Sequence, residues 1–134
     1  MFILLSVFMT LPVLLLAATP SGAPNAIAFA ESAAIVCVLG VLGLLLTYRE
    51  PRELKPRYMF VLTVSSWFVI ALLSALPFYL SDNDISAADA FFEGTSGITT
   101  TGATVFTGLD TMDKDLLLWR SILQWLGGIG IIGM

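Results

Sequence analysis

Histidine is absent from these 134 residues, and cysteine occurs once, at Cys37 within an apolar run. That excludes a disulfide framework and any Cys/His zinc site built from this chain alone. Charge is scarce too: Asp, Glu, Lys and Arg make up 12% of the residues, about half the share usual in a soluble domain. The six Lys and Arg form no extended basic face, so no nucleic-acid partner is expected. No nucleophile–base pair stands near the Thr/Gly-rich segment described below, so neither enzymatic chemistry nor a cofactor is expected. What fills the chain is apolar, 57% of it. An aqueous fold of this size could not hide so much apolar surface, whereas lipid can, and the fold class expected is an all-α membrane protein.

A hydrocarbon core about 30 Å thick takes roughly 20 apolar residues in a helix. Three segments meet that length: Met1 to Ala18 with Pro12 inside, Ala26 to Thr47 with Glu31 near its start, and Tyr58 to Leu80 with Pro77 near its end. A fourth, Leu116 to Met134, contains Arg120. The first segment has a second reading as a cleaved leader, since Ala28-Phe29-Ala30 offers a small-residue site, although no basic residue opens the segment. Four of the six Lys/Arg (Arg49, Arg52, Lys55 and Arg57) fall in one short loop between the second and third spans. The expected organisation is therefore an N-terminal transmembrane hairpin over 1–47, a basic cytoplasmic loop over 48–57, and a re-entrant unit over 58–134. That makes a multi-pass cell (inner) membrane protein with a cytoplasmic N-terminus. Asp82, Asp84, Asp89, Glu93, Asp110, Asp113 and Asp115 then fall on the opposite side. They concentrate cations at a pore mouth or form a merely solvated loop, and both readings stand.

Between the third and fourth apolar segments lies Ser86 to Thr107, SAADAFFEGTSGITTTGATVFT. Ser86 with Asp89 three residues on has the spacing of a helix N-cap. A short helix over about 86–97 follows, weakened and ended by Gly94 and Gly97; at 1.5 Å per residue it is too short to span. The next residues, 99–104, read Thr-Thr-Thr-Gly-Ala-Thr. Small side chains and hydroxyls suit an extended strand whose carbonyls line a narrow passage, and Gly102 permits the left-handed backbone that aims successive carbonyls one way. Carbonyl rings of this kind replace the hydration shell of a potassium ion. The C-terminal end of the short helix adds a partial negative charge at the same place. Such backbone is tolerated at membrane depth where it is buried in protein or lines a wet cavity. The spacing from Gly97 to Thr104 also approaches a phosphate-binding loop, but Ala103 stands where that loop requires lysine. A plain Thr/Gly-rich surface loop is the remaining reading of the spacing.

Ala88–Glu93, Ser96–Thr104 and the run Trp119-Arg-Ser-Ile-Leu-Gln-Trp-Leu-Gly-Gly-Ile-Gly130 resemble the Trk/Ktr/HKT superfamily of potassium transporters, bacterial Trk-type membrane subunits above all. Leu76–Leu80 and the Pro56-Arg57 junction also look like that family. The resemblance implies four membrane–pore-loop–membrane repeats around a single pore, of which 58–134 looks like the first, with helix 58–80, pore helix 86–97, filter 99–104 and a truncated helix 116–134. The sequence is accordingly expected to be the N-terminal fragment of a longer subunit. The resemblance further implies potassium as the transported ion and filter carbonyls from Thr100, Thr101, Gly102 and Ala103. Support would come from Thr99, Thr104, Glu93 and Arg120. It also implies a cytosolic nucleotide-binding regulatory subunit and a dimer at full length, with either channel-like or ion-coupled (symport) flux. The rival from another class is a non-conducting membrane subunit that packs against partner helices.

Arg120, Gln124 and Gly127 or Gly128 are spaced to share a helix face. Arginine in an apolar helix is costly and should face protein or water, so Arg120 either pairs with Glu93 behind the filter or lies hydrated at an interface. Gly127, Gly128, Gly130 and Gly133 read as a hinge or as sites of close helix packing, the second being commoner, and Gly40 with Gly43 is expected to pack. Trp119 reads as an interface anchor and Cys37 as a small core residue.

Overall fold

The computed structural model describes residues 2–16, 24–47, 56–81 and 83–132. Most of the basic loop, 48–55, lies outside the described residues. Two apolar helices open the chain, α1 (Phe2–Leu16) and α2 (Ala26–Thr47). Neither carries a polar stripe, as expected of helices that face protein on one side and lipid on the other. Met9 to Leu14 of α1 run beside Ala26 to Ala30 of α2, which makes the pair an antiparallel hairpin. Met9, Phe29 and Val36 are fully buried, whereas Leu42, Leu45 and Leu46 on the far half of α2 are exposed. Gly40 is buried, while a Cβ built on Gly43 meets nothing within 4 Å among the described residues.

The third apolar segment is not one helix over 58–80. It breaks into α3 (Pro56–Ser74) and a single turn, α4 (Leu76–Tyr79). Pro77 has no N–H to give the helix ladder, and the chain tightens at Ala75, whose N–H bonds Leu72 O at 3.3 Å while Phe78 N–H bonds Ala75 O at 3.1 Å. The Ser74 carbonyl thereby loses the N–H of Phe78 and accepts the indole Nε1–H of Trp119 instead, at 3.1 Å. Trp119 is fully buried, so it is a core residue that satisfies a broken helix end and not an interface anchor. Despite the break, the stretch Arg57–Tyr79, like Ala26–Leu46, is long and apolar enough to cross a membrane.

A short helix, α5 (Ala87–Ile98), follows, then a non-helical stretch over 99–108 (the strand, below) that pairs with no sheet among the described residues, a 3-10 turn at Leu109–Thr111 and a final helix, α6 (Lys114–Ile132). The last helix runs beside the hairpin. Phe29 meets Trp119 edge-on with ring centroids 6.0 Å apart, and Phe8 meets Trp125 at 6.2 Å. These aromatic pairs cement α6 to α1 and α2. Between α3 and α6 sits α5, with Ala90 and Ile98 in the shared core.

Candidate functional site

Helix α5 starts as its sequence requires. Ser86 Oγ accepts the N–H of Asp89 at 3.1 Å and donates to the Asp89 carboxylate at 2.7 Å. The helix runs through Gly94 and ends one residue past Gly97, at Ile98, close to the expected end. Their role is close approach. A Cβ on Gly94 would stand 2.9 Å from Ala75 N and Ser74 Oγ, and one on Gly97 would stand 2.9 Å from Leu123 Cβ. The bend after α3 and the flank of α6 thus hold the helix from two sides.

The helix ends at Thr100 by a left-handed turn. Thr100 N–H bonds Gly97 O and Thr101 N–H bonds Ser96 O, both at 3.0 Å, the paired bonds of a Schellman cap. Glycine usually fills the left-handed position of that cap; here Thr100 does, at φ 58°. A β-branched residue there is an outlier that the surroundings must enforce. Two residues on, Gly102 is left-handed as well, at φ 75°, as its place in the Thr-Thr-Thr-Gly-Ala-Thr run led one to expect. Residues 99–104 are exposed. Thr99 Oγ1 donates to Thr95 O at 2.7 Å and lies 2.9 Å from Thr101 Oγ1.

Behind this strand stands a charged brace. Glu93 is fully buried, and its carboxylate meets Arg120 Nε at 2.6 Å. The same carboxylate accepts Val105 N–H at 2.8 Å and Thr104 Oγ1 at 2.5 Å. Every donor it needs is present, which is what makes a buried carboxylate tolerable. Of the two readings of Arg120, pairing is the one the geometry bears out. Arg120 Nη2 reaches on to Ala103 O at 3.3 Å, with Gly102 O at 3.5 Å. Ser96 Oγ donates to the same Ala103 oxygen at 2.5 Å. A carbonyl has two lone pairs, so the Ala103 oxygen is turned toward protein and saturated. The carbonyls of Thr100, Thr101 and Gly102 are not saturated in this way. Gln124, one turn beyond Arg120, approaches Gly102, and Gly127 abuts the end of α5. The face Arg120–Gln124–Gly127 therefore backs the strand along its length.

Sequence reasoning missed the polar lock at the start of α6. Asp115 is fully buried and accepts Asn25 N–H at 2.9 Å, Asn25 Nδ2 at 3.1 Å and Leu116 N–H at 2.9 Å. Asp113 accepts from Asn25 Nδ2 at 2.9 Å and Asn83 Nδ2 at 2.8 Å. These two carboxylates tie the hairpin to the α5–α6 unit. The signal available in sequence was a lone asparagine just before an apolar helix, which by itself named no partner.

The family model for TrkH, described as a cation transport protein, matches residues 25–134, a stretch that contains the whole brace and strand. The chain belongs to the TrkH family. This is a family of transporters and not of enzymes. The chain is 43% identical over all its 134 residues to the Trk system potassium uptake protein TrkI of Halomonas elongata, of which it covers 27%. It is 40% identical over 131 residues to TrkH of Salmonella typhimurium, again covering 27% of that protein. The crystal structure of the potassium transporter TrkH from Vibrio parahaemolyticus superposes on 98% of this chain with a TM-score of 0.88 and 39% identity, the match taking in 28% of that chain. The chain thus spans about a quarter of the length of these relatives, and its all-α membrane fold is that of the matched segment of the Vibrio structure.

Proposed function

We propose that this TrkH-family chain supplies the N-terminal hairpin and the first membrane–pore–membrane repeat of a potassium uptake transporter, with its filter at Thr100, Thr101 and Gly102. The observation that carries the reading is the strand itself. Two left-handed residues, Thr100 and Gly102, lie at the C-terminal end of a short capped helix, and the Glu93–Arg120 pair braces the strand from behind. Relatives named as potassium uptake proteins support the choice of ion.

Mechanistically, an entering potassium ion exchanges hydration waters for backbone oxygens, which costs little when those oxygens are already aimed. Arg120 and Ser96 hold the Ala103 oxygen away from the ion path. In this reading Ala103 acts as an anchor, and the filter is assigned to the three carbonyls before it. Thr99 and Thr104 support the strand through their hydroxyls. The C-terminal end of α5 points its partial negative charge at the same region. One repeat furnishes one wall of the passage. Further pore-loop repeats complete it, with a cytosolic nucleotide-binding regulatory subunit and a dimeric assembly as the family resemblance implies. The loop over 48–57 lies in the cytoplasm and the protein in the cell membrane, with the N-terminus cytoplasmic.

The test is anomalous diffraction from rubidium-soaked crystals of the full-length transporter carrying this segment. Rubidium is expected in contact with the Thr100, Thr101 and Gly102 oxygens and not with that of Ala103. Ordered protein with no rubidium at those oxygens would overturn the proposal.

A further inference from the structure

The brace from Glu93 and Arg120 reaches the strand only from Gly102 to Val105. Its other end, where α5 turns into the strand, is held by a different contact. A Cβ built on Gly127 of α6 would lie 2.0 Å from the Ile98 carbonyl oxygen, 2.8 Å from its carbon and 3.2 Å from Thr100 Cγ2. Backbone here touches backbone, with no flexible side chain between them to yield. Gly128, the next residue, is different, since a Cβ there meets only Thr100 Cγ2 at 4.0 Å, an ordinary contact.

From this geometry we infer that Gly127 is a specificity-determining position: its missing side chain lets α6 clamp the last carbonyl of α5 and so keeps Thr100 in the left-handed turn that aims the filter. The inference rests on the filter reading given above. Thr100 adopts φ 58° against the preference of a β-branched residue. Once the restraint loosens, its cheapest relaxation is to leave that region, which swings the Thr100–Thr101 peptide and its oxygen. There is room for the restraint to loosen without the fold collapsing. Ile98 also lines an apolar cavity of about 350 Å³ shared with Leu5, Phe8, Trp67 and Ile70. A side chain at 127 therefore displaces the end of α5, and the space beside Ile98 takes up part of the shift.

The experiment compares Gly127→Ala, Gly128→Ala and Gly102→Ser in the full-length transporter carrying this segment, reading the potassium-to-sodium permeability ratio. Assembly is followed by size-exclusion chromatography. Gly127→Ala is expected to assemble and to lose about tenfold in the ratio, the equivalent of 1.4 kcal/mol between the two ions. Gly128→Ala is expected to stay within about twofold of the parent, as a substitution without a clash should. Adding Thr100→Gly to Gly127→Ala is expected to recover part of the ratio, because glycine occupies the left-handed turn without strain. A parental ratio in Gly127→Ala alongside a fall in Gly102→Ser would overturn this inference alone. An unchanged ratio in Gly102→Ser would overturn the filter reading beneath it. Failure of Gly127→Ala to assemble, or no recovery on adding Thr100→Gly, would assign Gly127 to packing alone and likewise overturn the inference.

Discussion

Replacing Glu93 with glutamine removes the negative charge from a site with no exposed surface, while the Arg120 guanidinium, its side chain 12% exposed, stays in place. The glutamine oxygen can still accept Val105 N–H and the Thr104 hydroxyl, which share one carboxylate oxygen, but its amide group then faces the Arg120 Nε–H that donates to the other. Breaking a buried pair by removing one partner costs about 3–5 kcal/mol, because the remaining charge is left uncompensated. Arg120→Gln strands the Glu93 carboxylate in the same way and frees the Ala103 oxygen from one of its two donors. The two losses share a single interaction, so the double variant should fall short of the sum of the singles by about 1–3 kcal/mol. Thermal unfolding of the full-length protein in detergent, read by loss of the monodisperse chromatographic peak, supplies the three stability differences. The potassium-to-sodium ratio is measured on the same preparations, and each single change should lower it, since the brace holds residues 102–105. Additive stability effects, or singles that leave both readouts at parental values, would refute the reasoning.

Three further outcomes follow from the geometry. Gly102→Ser adds a Cβ at φ 75°, where it meets Gln124 Nε2 at an unstrained 3.6 Å; the cost of about 1–2 kcal/mol is conformational, and a marked fall in the potassium-to-sodium ratio with insertion retained is expected in radiotracer uptake. Asp115→Asn turns an amide donor toward the donors of Asn25 and Leu116, which should destabilise docking of the hairpin by about 1–3 kcal/mol; an unchanged thermal midpoint would count against the lock. Cysteine introduced at Glu53 should resist an impermeant thiol reagent applied outside the cell while cysteine at Asp84 reacts, and the reverse labelling would invert the orientation drawn from Arg49, Arg52, Lys55 and Arg57.

Local chemistry was enough to delimit most elements from the sequence. The second apolar run and α2 share the same bounds, Ala26–Thr47, because no proline interrupts it and its one charge, Glu31, falls near its start. The Ser86–Asp89 spacing marked the start of α5, and the flanking Thr and Ala around Gly102 marked the left-handed step, since both depend on residues within a few positions of one another. The Glu93–Arg120 pair was nameable as one of two possibilities, because an arginine in an apolar helix needs protein or water to face and Glu93 was a carboxylate within the short helix before the Thr/Gly-rich run.

What the tertiary structure alone decided concerns pairings across long stretches of chain. Asn25 and Asp115, 90 residues apart, meet only because α6 returns beside the hairpin. Gly94, Gly97 and Gly127 look like helix breakers or hinges in isolation, and they become contact points only where another backbone arrives. The left-handed Thr100 runs against its own local preference, so no propensity could announce it; packing of α6 on Ile98 and the cap bonds to Ser96 and Gly97 hold it there. The direction of the Ala103 carbonyl was equally hidden, because the two donors that claim it, Ser96 and Arg120, come from different helices. Backbone propensity acts over a turn or two, whereas the aim of a carbonyl is set by whichever donors the fold brings within 3.5 Å of it.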